Sequence, residues 1–254
     1  ILSVTAEYNG IEKTVEKEFD VFYKKGDAGG VYQIKNVVAK DAQFDGANSF
    51  TNLQGAHGVS IFTIGSSTYA IVTAQTDNGV QMIDISDPDN LVATDDEADG
   101  ATFTELQAAL DVDTFVIGSK TYAIVTSYTD DGVQMIDISD PANIVAKDAQ
   151  YDGDSGGFDE LDGARDVETF AIDSKTYAIV TGYLDNGVQI INVTDPANIV
   201  ATDSETDNAN GFTALNKANG VSVFTIGGST YAIVAGQGDN GVQIIDISDP
   251  TDIV

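Results

Sequence analysis

The chain has 254 residues, with 41 Asp+Glu against 11 Lys+Arg, a net charge of −30, one His, no Cys and no Trp. Without Cys there is neither a disulfide nor a thiolate metal site, and the acidic balance repels phosphate backbones, so no nucleic acid partner is expected. No apolar run approaches the roughly 18–20 residues of a membrane helix, so no transmembrane segment is expected. The 42% hydrophobic content suits a folded chain with a real core.

The acids divide into 32 Asp and 9 Glu, beside 25 Gly. Asp favours turns and caps where Glu favours helix, so the acidity itself predicts many turns. The chain opens on Ile1 with no signal-peptide pattern, which suits a mature product or a fragment.

Residues 1–30 stand apart and hold 4 of the 9 Glu and 4 of the 10 Lys. Leu2, Val4, Ala6 and Tyr8 alternate, Asn9-Gly10 turns the chain, and a second alternating run goes from Ile11 to Tyr23. This predicts a β-hairpin followed by a linker at Gly26 to Gly30. The predicted organisation is therefore a hairpin and linker over 1–30 and a repeat domain over 31–254.

TYAIV occurs four times, at Tyr69, Tyr122, Tyr177 and Tyr231, spaced by 53, 55 and 54 residues. An Asp-Pro follows each Tyr by 19 residues, at Pro88, Pro141, Pro196 and Pro250. Length varies only between Asp45, Asp99, Asp152, Asp207 and the following Phe50, Phe103, Phe158, Phe212, which marks that segment as an exposed loop. Each repeat predicts four strands. Strand one resembles VETFAI, strand two is TYAIVT, and strand three is GVQIIDIS after an Asp-Asn-Gly or Asp-Asp-Gly turn. Strand four resembles NIVAKDAQY, after the Asp-Pro. The Phe-x-x-Leu-x-x-Ala spacing before strand one fits one or two helical turns that clamp the blade end.

Antiparallel strands apolar on both faces, with a 54-residue period, predict an all-β fold, a β-propeller of four-stranded antiparallel blades preceded by the hairpin. The fourth repeat stops where strand four begins, while Val31 to Phe44 carries a strand-four sequence without its own blade. That strand is expected to complete the last blade and close a four-bladed ring; the other reading is a piece of a larger ring.

GVQMIDISDPANIV, GVQIIDISDPTDIV and the TYAIV before them resemble the LVIVD-repeat β-propellers, over roughly residues 31–254. Residues 1–30 resemble the last two strands of an immunoglobulin-like surface module. The resemblance implies a bacterial or archaeal cell-surface or secreted protein. It supplies no catalytic residues.

In a propeller the loops from strand four to strand one and from strand two to strand three share one face. That face is expected to be acidic, and its candidate Ca²⁺ ligands are Asp152, Asp154 and Asp159, then Asp99, Asp207 and Asp45. The plainer reading makes them turn formers and solvated charge. The repeated Gln81, Gln134, Gln189 and Gln243 are read as caps on buried backbone. His57 stands alone, with Leu110, Arg165 and Asn219 in its place elsewhere, so a Ser–His–Asp triad is not expected. The functional expectation is a non-catalytic extracellular structural or interaction protein, a surface-layer, filament or adhesin component self-assembling through its hairpin. The alternative is a Ca²⁺- or carbohydrate-binding module. The one candidate cofactor is Ca²⁺, in the second reading, and a propeller hydrolase using paired carboxylates ranks third.

Overall fold

The structure is a computed structural model, and it describes residues 2–8, 11–17 and 39–254. Internal contacts divide the chain into two units, Ile1–Ala39 and Lys40–Val254. In the first, β1 (Leu2–Tyr8) pairs antiparallel with β2 (Ile11–Lys17), from Leu2↔Lys17 to Tyr8↔Ile11. This is the predicted hairpin. Its turn, the remainder of its second run and the linker lie outside the described residues.

The second unit is built entirely of strands and turns. Blade one holds β3 (Ala56–Ile64), β4 (Ser67–Ala74), β5 (Gly79–Asp84) and β6 (Val92–Ala98). Blade two holds β7 (Ala109–Ile117), β8 (Lys120–Ser127), β9 (Gly132–Asp137) and β10 (Val145–Tyr151). Blade three holds β11 (Ala164–Ile172), β12 (Lys175–Gly182), β13 (Gly187–Asn192) and β14 (Val200–Thr206). Blade four holds β15 (Ala218–Ile226), β16 (Ser229–Gly236) and β17 (Gly241–Asp246). All pairings are antiparallel, and the architecture is that of a β-propeller.

Three apolar cores join successive blades. Between blades three and four, Phe170, Tyr177, Ile179, Val188 and Ile190 meet Phe212, Leu215, Ala218, Ala232, Val234, Ile245, Ile247 and Ile253. The equivalent residues join blades one and two, and blades two and three. Burial on both faces explains why these strands read as apolar runs instead of strict alternation.

Among the described residues no such core joins blade four to blade one. Val59 and Ile61 are 60% and 63% exposed, where Val112 and Val167 are at 4%. Val242 and Ile244 are 61% and 46% exposed, where Val188 and Ile190 are at 0%. The strand expected to close the ring falls mostly outside the described residues, in 31–38. Its described end, 39–44, forms no strand.

Phe103, Leu106 and Ala109 are buried as the predicted clamp, yet Phe103 and Leu106 lie on irregular backbone and Ala109 opens β7, and none is on a helical turn. The reason is competition for the N–H groups. Gln134 Oε1 accepts from Thr104 N at 3.0 Å, and Asp130 Oδ2 accepts from Gln107 N at 2.7 Å. Side-chain acceptors thus replace the carbonyls a helix would supply.

Candidate functional site

The acidic loops are built from two carboxylates per blade. Asp45, Asp99, Asp152 and Asp207 each accept the N–H of the clamp leucine (Leu53, Leu106, Leu161, Leu215) at 3.2–3.5 Å. Asp77, Asp130, Asp185 and Asp239 each accept the next N–H along, at 2.7–3.0 Å. These bonds tie the strand two–three turn to the strand four–one loop, so the two sets share one face. The same turn reaches the next blade. Asn78, Asp131 and Asn186 accept from Ala108, Gly163 and Lys217 N at 2.8–2.9 Å. Most of this charge therefore satisfies backbone donors in turns.

Four of the six candidate Ca²⁺ ligands are thus equivalent residues in four separate blades. Asp154 accepts its neighbour Ser155 N at 2.6 Å, and Asp159 is exposed, with its own N–H on Gln189 Oε1. Asp152 and Asp159 both lie near Glu160. Among the described residues no three acidic or His side chains are gathered as a metal ion requires.

Two glutamates lie beneath this face. Burial, followed by the charges of Asp130, Asp99 and Asp131, pushes Glu105 up to about 8. Burial, followed by Asp185, Asp152, Asp159 and Glu205, does the same to Glu160. Glu105 Oε2 and Glu160 Oε2 are buried and make no hydrogen bond among the described residues. Each faces the glycine that opens strand three. A Cβ on Gly132 would come within 2.8 Å of Glu105 Oε2, and one on Gly187 would collide with Glu160 Oε2.

A different pair lies on the innermost strands. β3, β7, β11 and β15 pack against one another in sequence and line the propeller axis. Asp111 on β7 and Asp166 on β11 lie side by side, Asp111 Oδ2 accepting the N–H of Val167, the residue after Asp166, at 3.2 Å. Asp166 Oδ2 in turn accepts Val221 N at 2.6 Å. Burial, then hydrogen bonding with Asp166 and its negative charge, push Asp111 up to about 8. A neighbouring carboxyl makes ionisation costlier and so favours the protonated form of Asp111. Blades one and four carry Gly58 and Gly220 in the same place, so blade folding does not demand a carboxylate there.

Beside Asp166 stands Arg165, the only Arg in the chain. Its guanidinium lies 4.7 Å from the centre of the Tyr183 ring, with Lys217 Nζ at 5.8 Å from the same ring and Tyr128 tilted against it. An aromatic ring and two cations thus sit where the rest of the surface is acidic. Pattern reading missed the dyad because it followed what repeats. Asp111, Asp166 and Arg165 are departures from the repeat, and alignment of the four copies exposes them.

The fold and its repeated strands define the class. The chain carries LVIVD repeats, with the repeat matched over residues 66–94 and 218–254. No curated protein matches the chain. Among solved structures, a protein from Lactobacillus plantarum matches with a TM-score of 0.58 and 14% identity, over 78% of this chain and 55% of that one. The periplasmic gluconolactonase of Pseudomonas aeruginosa matches at 0.57 and 12%, over 78% and 52%. A putative 6-phosphogluconolactonase from Bacteroides uniformis matches at 0.53 and 16%, over 77% and 51%. The chain spans about half the length of these proteins, and the likeness is one of fold.

It nevertheless corrects the expectation of a non-catalytic structural protein. That expectation, and the expectation that the chain is no enzyme, rested on a repeat fold without an evident constellation. The same fold belongs to a gluconolactonase, so the fold does not mark a non-catalytic protein.

Proposed function

We propose that this protein is a hydrolase that opens a lactone, or a related ester of a sugar acid, with Asp111 and Asp166 as its acid–base pair. The observation that carries the reading is the placing of two carboxyls side by side on adjacent axial strands, Asp111 Oδ2 on Val167 N and Asp166 Oδ2 on Val221 N, at positions the repeat leaves free. The likeness in fold to a gluconolactonase and to a putative 6-phosphogluconolactonase supports the substrate class. Tyr183, with Arg165 and Lys217 on its ring, offers an apolar face and positive charge for a ring that ends as a carboxylate.

The chemistry follows from the two protonation states. The Asp166 carboxylate takes a proton from water as its oxygen bonds to the acyl carbon. Asp111, still protonated at neutral pH, gives its proton to the alkoxide as the ring C–O bond breaks. The product is a hydroxy acid. Glycoside hydrolysis suits the pair less well, because its two carboxyls stand at least about 5 Å apart across the bond, whereas Asp111 Oδ2 already lies on the β11 backbone beside Asp166, at Val167 N. The compartment under this reading is the cell exterior, on the strength of the LVIVD resemblance.

Hydrolysis of glucono-δ-lactone, followed with a pH indicator against the buffer rate, tests the reading. The wild type should accelerate it, and Asp111→Asn and Asp166→Asn should each lose about 10²–10⁴-fold. Wild-type protein no faster than buffer, or full activity in Asp111→Asn, overturns the proposal.

A further inference from the structure

We propose that Arg165, Lys217 and Tyr183 form an anion subsite beside the Asp111–Asp166 pair, so that the ligand is a sugar lactone that already carries a second anionic group, a carboxylate or a phosphate, before its ring opens. That the ligand is a lactone rests on the hydrolase reading; the subsite stands on observations of its own.

The three residues lie where the four copies of the repeat disagree. Arg165 stands in the place of His57, Leu110 and Asn219, and Lys217 in the place of Gly55, Ala108 and Gly163. Tyr183, like Tyr128, stands where Gln75 and Gln237 do. They come from β11, from the turn after β12 and from the turn before β15, and each is tied down by its own bond. Arg165 O accepts Thr126 Oγ1 at 3.0 Å, Tyr183 N donates to Gly163 O at 3.2 Å, and Lys217 N donates to Asn186 Oδ1 at 2.9 Å. The pairing of β11 with β12 shifts register between Ala164 and Val167, so Arg165 and Asp166 are the two residues of a bulge. Bulges set side chains off the regular alternation of a strand, and this one puts a cation next to a carboxylate of the pair.

Lys217 carries a cost that the blade does not require. Its φ is 54°, in the left-handed region, where the equivalent Gly55 and Gly163 stand at 73° and 65°. Strain of this kind in a residue other than Gly points to a use for its side chain. The charge is also unanswered. Among the described residues the ion pairs are Lys40–Asp89 and Lys120–Asp137, so neither Arg165 nor Lys217 is paired, in a chain with 41 acids. A guanidinium and an ammonium drawn to one ring repel each other. One oxyanion between them relieves that repulsion and takes charge-assisted hydrogen bonds from both. The group must be present before ring opening. Cations that met only the carboxylate formed at the acid–base pair would hold product more tightly than substrate, whereas an anion remote from the reacting carbonyl is held alike in both.

Isothermal titration calorimetry with the open acids gluconate, glucarate and 6-phosphogluconate reads the subsite without turnover. Gluconate has one carboxylate, glucarate has a second, and 6-phosphogluconate has a phosphate in its place. Wild type should bind glucarate or 6-phosphogluconate at least about tenfold more tightly than gluconate, and the tighter of the two names the group. Arg165→Gln should abolish that advantage. Lys217→Gly should abolish it in a chain that melts no lower than wild type, because Gly fits the backbone there, and Lys217→Arg should retain it. Equal binding of all three acids by wild type, or an advantage that survives Lys217→Gly, overturns the subsite. The two readings fail separately. The advantage with no lactone hydrolysed overturns the hydrolase and leaves the subsite, and hydrolysis of glucono-δ-lactone without the advantage overturns the subsite and leaves the acid–base pair.

Discussion

Gln189 allows a stringent test of why every third strand carries a glutamine. The fourth strand of each complete blade bulges. In blade three, Ile190 pairs with Asp203 and Ile191 with Ala201, leaving Thr202 as the extra residue. The Asp203 carbonyl at that bulge accepts Gln189 Nε2 at 2.8 Å, and Gln189 Oε1 accepts the Asp159 N–H of the incoming loop at 3.1 Å. Gln189 is fully buried. Substitution Gln189→Met keeps the volume and orphans both backbone groups, each at about 1–3 kcal/mol, so the loss should be about 2–5 kcal/mol. Gln243 holds the same place in blade four, where its Oε1 accepts Thr213 N at 3.2 Å but no strand-four carbonyl faces its Nε2 among the described residues. Gln243→Met should cost about 0.5–1 kcal/mol. At roughly 2–4 °C per kcal/mol for a chain of this size, Tm should fall by about 5–15 °C in the first variant and about 1–4 °C in the second. The assay is thermal unfolding followed by circular dichroism. Equal losses in the two variants would refute the reasoning, because burial of the bulge carbonyl would then not be what the glutamine serves.

Stability should also fall as pH rises from about 4.5 towards about 8. Glu105 and Glu160 stay protonated in the fold over that range while the unfolded chain ionises, so their contribution is full below about 4.5 and is lost by the point where they titrate in the fold. Unfolding midpoints at pH 5 and pH 9 should show this fall, and Glu105→Gln with Glu160→Gln should flatten it; an unaltered slope in the double variant contradicts the assignment. The lactonase rate should decline as pH passes about 8 and Asp111 loses its proton, which a pH–rate profile on glucono-δ-lactone checks; a rate that climbs steadily to pH 9 speaks against Asp111 as the acid. Gly187→Ala should unfold the chain at markedly lower temperature than Gly241→Ala, because a Cβ at 187 collides with Glu160 whereas one at 241 has its nearest neighbour at 3.5 Å. Millimolar Ca²⁺ should leave Tm unchanged, since the loop carboxylates already hold backbone N–H groups; a rise of several degrees reversed by chelator would instead support the calcium reading of Asp99 and Asp152.

Much of the fold was legible without coordinates. Four copies of TYAIV, the Asn-Gly turns and the Asp-Pro stops are local signals, and strand periodicity needs only neighbouring residues to be read. Face assignment of the loops followed from topology. The helical clamp was misread because i, i+3, i+6 spacing reports burial on one side and not backbone path. The path was decided by Gln134 and Asp130, 30 and 23 residues away from the N–H groups they accept.

The −30 charge illustrates the same division. The sequence by itself determined that the acidity belongs to turns, because Asp and not Glu supplies it. Only the tertiary structure decided what the carboxylates face. Asp99 and Asp152 face backbone donors, Glu105 and Glu160 face other carboxyls out of water, and Asp111 faces Asp166 across a blade junction. Asp111 and Asp166 are 55 positions apart in the chain, and no local pattern joins them. Proximity and desolvation, which set a proton's affinity, are properties of packed blades and are absent from any single repeat.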